Sequence, residues 1–289
     1  MKTACILLSI CLFGCALALA QQPTATPAKP GRHVPEAKTR QEFNDYNAAY
    51  AISGGAQMEK AADDFAAKYP ASELKTYLYA KALHEYQSEN NPAKMLAMGK
   101  KVLQLDPDNT IALVLTATVM SDQLEEKDPD RQQKIAEIRK DAAHALETVD
   151  SSFAPPANAT AEQITAYKKT LQSMAHSALG ITALKSDDNQ TAEQELKSAA
   201  DLNVTQPDPY IWYHLALAQD HLEKYPEALV SINRALEYAG NSDLADTIRN
   251  ERKRLLMKNN LGGAETPNQP APAPSPAAKP PAAQPPAPK

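Results

Sequence analysis

Residues 37–263 carry nine prolines, and every one stands where a helix would start or stop. Proline lacks an amide hydrogen and clashes with the preceding turn, so it fits a first helical turn or a loop and breaks a helix interior. Pro92, after Asn91, and Pro226, after Tyr225, suit first-turn positions. Pro70, Pro107, Pro129, Pro155, Pro156, Pro207 and Pro209 fall between segments. The intervals are rich in Ala, Leu, Lys, Glu and Gln, with apolar side chains three and four apart. Leu215, Ala218 and Leu222 make one such stripe; Leu229, Ile232, Ala235 and Leu236 make another. Alternation of period two is almost absent, so about eleven helices and no sheet are expected.

The two ends of the chain read differently. Residues 1–20 resemble a secretory signal: Lys2 gives a positive start, an apolar run follows, and Ala18 and Ala20 are small at the cleavage positions. Two alternatives compete. Leu12, Phe13, Gly14 and Cys15 loosely match a bacterial lipobox that would lipidate Cys15, although Phe13 is bulky and the apolar run continues beyond it. A retained anchor would be marginal in length for a membrane span. Cys5, Cys11 and Cys15 are the only cysteines, so a chain cleaved after Ala20 has no thiol for a disulfide, a zinc site or a nucleophile. Its stability would then rest on the apolar core. An exported protein, periplasmic or secreted, is expected, or one held to the envelope membrane through Cys15. Residues 21–36, with Pro23, Pro27, Pro30 and Pro35, read as a linker. Residues 264–289 carry ten prolines and mostly alanine besides, a composition expected to stay disordered and polyproline-like, as a spacer or, alternatively, a ligand for proline recognition. The helical domain is placed at 37–263.

Successive helices of similar length call for a search for internal periodicity. In residues 209–240, Trp212, Leu215, Ala216, Tyr225, Ala228, Ile232, Ala235 and Leu236 follow one another at the spacing of a helix pair. This unit resembles a tetratricopeptide repeat. Leu179, Gly180, Ala192, Leu196 and Ala199 form a second match 36 residues upstream, with Asn189 where a turn tyrosine is usual. Tyr79, Ala82, Tyr86, Met95 and Val102 form another, in which Gly99 occupies a place for a large residue. Leu113, Ala117 and Met120 pair with Ile138, Ala142 and Ala145 across an insertion near 126–133. Ala48, Ala49, Ala61 and Phe65, followed by Lys68, Tyr69 and Pro70, resemble repeats of bacterial envelope proteins. The resemblance implies an all-α, right-handed helical-repeat solenoid of about five helix pairs. Residues 242–260 would cap it, with Leu244, Ile248, Leu255 and Leu256 turned inward.

Little points to catalysis. Nine glycines provide neither a dinucleotide fingerprint nor a phosphate loop, and there is no serine-hydrolase elbow and no zinc-protease helix motif. His214 and His221 lie two helical turns apart, about 10.5 Å, too far to share one metal ion. The formal charge of −5 argues against nucleic acid as a partner. Arg249, Arg252, Lys253, Arg254 and Lys258 form the one basic cluster; it suits a helix C-terminus, with an anionic lipid or acidic partner as the alternative. A non-enzymatic chain without metal or cofactor is expected.

The resemblance also implies a binding face, because the first helix of each pair lines a concave groove in that family. The matching positions hold Phe43, Tyr46 and Tyr50; Tyr77, Ala80 and His84; Ile111, Val114 and Thr118; Ser177, Ile181 and Leu184; and Tyr210, Tyr213, Leu217 and Asp220. Of these, Tyr46, Tyr50, Tyr77, His84, Val114, Tyr210, Tyr213 and Leu217 are the candidate peptide contacts. Tyrosine offers broad area, a polar tip and little rotamer entropy to lose. The family's two-carboxylate clamp is missing, since its Lys and Asn places hold Ala80, Val114 and Tyr213. A protein or peptide ligand is therefore expected, in a scaffold role; a lipid-anchored structural component of an envelope assembly is the alternative.

Overall fold

The computed structural model describes residues 35–153, 158–203 and 207–262, with residues 261 and 262 described by their backbone only. The signal, most of the linker and the tail expected from sequence lie outside the described residues. Within them there are eleven helices and no strand. The helices are α1 (Arg40–Tyr50), α2 (Gly55–Lys68), α3 (Lys75–Ser88), α4 (Pro92–Leu105), α5 (Thr110–Gln123) and α6 (Arg131–Ser152). There follow α7 (Ala161–Leu184), α8 (Asn189–Leu202), α9 (Pro209–His221), α10 (Tyr225–Ala239) and α11 (Asp243–Gly262).

Helix starts are set by local chemistry. Thr39, Asn91, Asn109, Thr160, Asp188 and Asp208 each accept a first-turn amide on the side chain, and Pro92 and Pro209 occupy the first turn directly behind two of these caps. Thr160 and Gln163 close a reciprocal capping box. At α2 the cap comes from a different helix. Gly54 and Gly55 donate their amides to Glu85 Oε2 at 2.8 Å and Glu89 Oε1 at 2.6 Å, so the end of α3 supplies two carboxylates to the positive end of α2. This contact also fixes α2 and α3 as antiparallel neighbours.

Three hairpin turns are built alike. Asn90, Asp187 and Glu223 adopt φ of 53°, 60° and 59°. In each turn the next amide reaches back five residues: Asn91 to the Tyr86 carbonyl, Asp188 to Ala183 and Lys224 to Gln219, at 2.9–3.0 Å. This left-handed C-terminal stop satisfies carbonyls that a helix end leaves open. Its recurrence between α3 and α4, α7 and α8, and α9 and α10 is a repeat in three dimensions.

Each helix packs on its successor, and α1 touches α3, α5 touches α7, α7 touches α9 and α9 touches α11. The molecule is thus an all-α solenoid of five helix pairs closed by α11, with the odd-numbered helices along one side. Small residues set the close approaches. Ala216 and Ala228 are fully buried with Ile232 between α9 and α10. Gly180 lies so near Leu196 that an added Cβ would come within 2.6 Å of its Cγ. Gly99, at a place expected to hold a large residue, leaves room for the Thr116 side chain of α5. Trp212 is half-buried and bridges the clusters on either side of α9. α5 is wrapped by α4, α6 and α7, and residues 112–117 are all buried.

The cap has the expected inner stripe in Ile248 and Leu255, both fully buried, while Leu244 and Leu256 are half-buried. The basic cluster is largely committed to holding this cap. Asp220, whose side chain is 2% exposed, accepts from Arg254 at 2.5 Å and from Lys258 at 2.8 Å. Arg249 pairs with Asp246, and Arg252 bonds Asn233.

Candidate functional site

The candidate contacts separate into two groups. On α1, residues 43, 46 and 50 fall at intervals of three and four, so they share one helix face. Tyr77 of α3 joins them. Phe43, Tyr46, Tyr77 and Leu74 line an open groove of about 610 Å³, whose other wall is the extended approach to α1 through Pro35 and Ala37. Tyr50 continues the surface, its ring centroid 5.6 Å from that of Tyr46. Tyr46 is anchored from beneath, edge-on to Phe65 at 6.2 Å, and burial raises its hydroxyl pKa above the usual tyrosine range. Lys81 stands 5.3 Å from the centre of the Tyr50 ring and also donates to the Ile52 carbonyl.

Exposure distinguishes this group. Phe43 is 53%, Tyr50 46% and Tyr77 40% exposed, and among the described residues no other aromatic side chain is exposed. Elsewhere rings are buried or half-buried. Many are also tied by hydrogen bonds, as Tyr69 is to Asp45, Tyr79 to Asp63 and Tyr86 to Glu59.

The second group, at α9, is a polar joint. Tyr210 donates its hydroxyl to Asp122 at 3.1 Å, linking α9 to the end of α5. Lys185, just past α7, donates to the carbonyls of Ser121 and Asp122, both at 2.8 Å. Arg131 donates to the Lys185 carbonyl. His214 donates through Nδ1 to the Tyr210 carbonyl at 2.8 Å, and Tyr213 packs edge-on against its ring. Burial pushes the Asp122 carboxyl up to about 6 and the His214 imidazole down to about 4, so the imidazole is neutral near pH 7. Tyr213 and Leu217 are half-buried against the surrounding clusters. Here Tyr210 fastens α9 to the end of α5, and Lys185 ties the end of α7 to the same point.

Val114 is not at a surface. It is fully buried, because α7 lies across the face of α5 that the repeat pattern would leave open. Ser177, Ile181, Leu184 and Asp220 are likewise buried. His84 sits two turns along α3 from Tyr77, half-buried, with Nδ1 3.3 Å from Gln87 Oε1. The groove wall at Pro35, Ala37 and Leu74, and the joint at Asp122 and Lys185, had no sequence signal of their own. Both are made by contacts between segments remote in the chain. Among the described residues no cluster of His, Cys, Asp or Glu could hold a metal ion, and no helix is long and apolar enough to cross a membrane.

No family model matches the chain, and no curated protein matches it. Among solved structures, the chain is similar to a thermophilic TPR protein of Thermus thermophilus, at 17% identity and a TM-score of 0.43, over 75% of this chain and 99% of that one.

Proposed function

We propose that this chain is an exported, non-catalytic helical-repeat scaffold that docks an extended peptide segment of a protein partner across α1 and α3. One observation carries the reading: the exposed tyrosine and phenylalanine rings gather on α1 and α3, at or beside one groove, while every other described Phe, Tyr or Trp ring is buried or half-buried. Exposing large rings in contact with water costs free energy unless a partner covers them, and a contiguous apolar patch on an otherwise polar surface is the usual mark of a docking face. Tyrosines and a phenylalanine are also the residue types that concentrate binding energy at interfaces. The groove is open to solvent, which suits a segment laid along the surface more than an enclosed small ligand. Export is supported by the signal-like residues 1–20.

A displayed peptide library, panned against the chain and against a Phe43→Ala/Tyr77→Ala variant, tests the docking face. Peptides selected by the first should bind the variant about ten- to thirtyfold more weakly, the cost of two truncated ring contacts. Equal binding to both would refute the groove. The mass of the mature N-terminus tests export by cleavage: a chain starting at Gln21 supports it, and one starting at a lipidated Cys15 turns the reading to the membrane-anchored alternative.

A further inference from the structure

We infer that the proline-rich C-terminal segment of this same chain, residues 264–289, is a ligand of the aromatic groove on α1 and α3. The inference rests on the docking reading above and names its first occupant. Several observations support it. Phe43, Tyr46 and Tyr77 line the groove, with Tyr50 beside Tyr46, and the flat apolar faces of proline rings pack against such rings. A polyproline segment keeps no internal hydrogen bonds, so its carbonyls are available to tyrosine hydroxyls. A proline already lines the groove: Pro35 and Ala37, ahead of the Thr39 cap, form the opposite wall, and Ala37 packs on the hydrophobic cluster beneath.

Charge and reach agree. Residues 266–278 contain five prolines and no charged side chain, which suits a groove whose lining is mostly apolar, with Glu36, Thr39 and Arg40 as its polar members. The described chain ends at Gly262 on α11, from which helix contacts lead to α1 in six steps through α9, α7, α5, α4 and α3. At 8–10 Å per step that is roughly 50–60 Å. Twenty-six residues of polyproline helix extend about 80 Å at 3.1 Å each, so the tail of one chain reaches its own groove with length to spare.

The test titrates a fluorescent peptide of residues 264–289 into the full-length chain and into a full-length variant with Pro270, Pro272, Pro274 and Pro276 changed to Ser. A tethered tail competes at a high effective concentration, so the peptide should bind the variant at least about tenfold more tightly than the wild type. Adding Phe43→Ala/Tyr77→Ala to that variant should weaken binding about tenfold or more, and circular dichroism should show an unchanged fold because both side chains are exposed. Three results would each overturn the inference: no binding to the variant, equal binding to variant and wild type, or binding insensitive to the ring changes. A proline-free peptide selected on the groove is run alongside. If it binds and the tail peptide does not, only the tail is wrong; if neither binds, the docking face fails as well.

Discussion

Adding one methyl group at Gly180 should destabilise the solenoid even though it improves the intrinsic helicity of α7. In a helix interior, Gly→Ala alone contributes about 1 kcal/mol of stability. Here the new Cβ would stand 2.6 Å from Leu196 Cγ and 3.1 Å from both its Cδ2 and its backbone nitrogen. Cγ is a branch point and the nitrogen belongs to α8, so neither clash is relieved by swinging a chain end aside. Leu196 is also fully buried. Separating the helices enough to admit the methyl costs about 1–3 kcal/mol, so a net loss of about 1–2 kcal/mol is expected. Urea denaturation followed at 222 nm measures it. Leu196→Ala alone should cost about 2–5 kcal/mol through the cavity it leaves. In the double variant the Gly180→Ala methyl enters that cavity, so the combined loss should fall short of the sum by at least about 1 kcal/mol. A Gly180→Ala chain as stable as wild type, or strictly additive losses, would refute the close-approach argument.

Glu223→Gly relieves a left-handed backbone at a residue with no local reason to adopt it. The urea midpoint should rise by the equivalent of about 0.5–1 kcal/mol, and a fall would show that the turn is held by the glutamate side chain. Asp220→Ala removes the buried partner of Arg254 and Lys258 and should cost about 1–3 kcal/mol, with α11 losing amide protection in hydrogen exchange before α9 does. The pairing holds the Asp220 carboxyl below its usual range, so this contribution is present above pH 4 and is lost as pH falls through the depressed value. Asp122 and His214 should show opposite pH dependences. The raised carboxyl loses stability as pH climbs from about 4 through 6, and the depressed imidazole loses it as pH drops from about 6.5 through 4. Midpoints of Asp122→Asn should therefore fall on acidification relative to those of His214→Gln; parallel curves would contradict the assignment.

Much of the architecture was legible because its causes are local. Asn91 before Pro92 announces a helix start directly, whereas Pro209, expected between segments, instead opens α9 because the Asp208 side chain caps the turn that follows. Ala216, Ala228 and Gly180 could be placed at close approaches because the repeat pattern puts small residues there. Other features were hidden for equally physical reasons. Nothing about Glu223 as a residue type signals a positive φ; only its equivalence to Asn90 and Asp187 in space does. Val114 fits a groove position by local spacing, yet α7, some sixty residues later, covers it. At the candidate site, Phe43, Tyr46 and Tyr50 were readable as one helix face. That Tyr210 would instead be consumed in a bond to Asp122, 88 residues away, is a tertiary outcome with no short-range trace.

The Asp220 clamp also bears on how many units the array can hold. Both cations that neutralise this carboxylate come from α11, the helix that follows the fifth pair. A sixth pair inserted at that junction would bring its own first helix against α9 and α10, and unless that helix carried two positive groups at the same heights it would entomb a bare anion. Array length here is governed by counterion matching at the terminus, and grafting further modules onto this molecule means copying the two cations along with the fold.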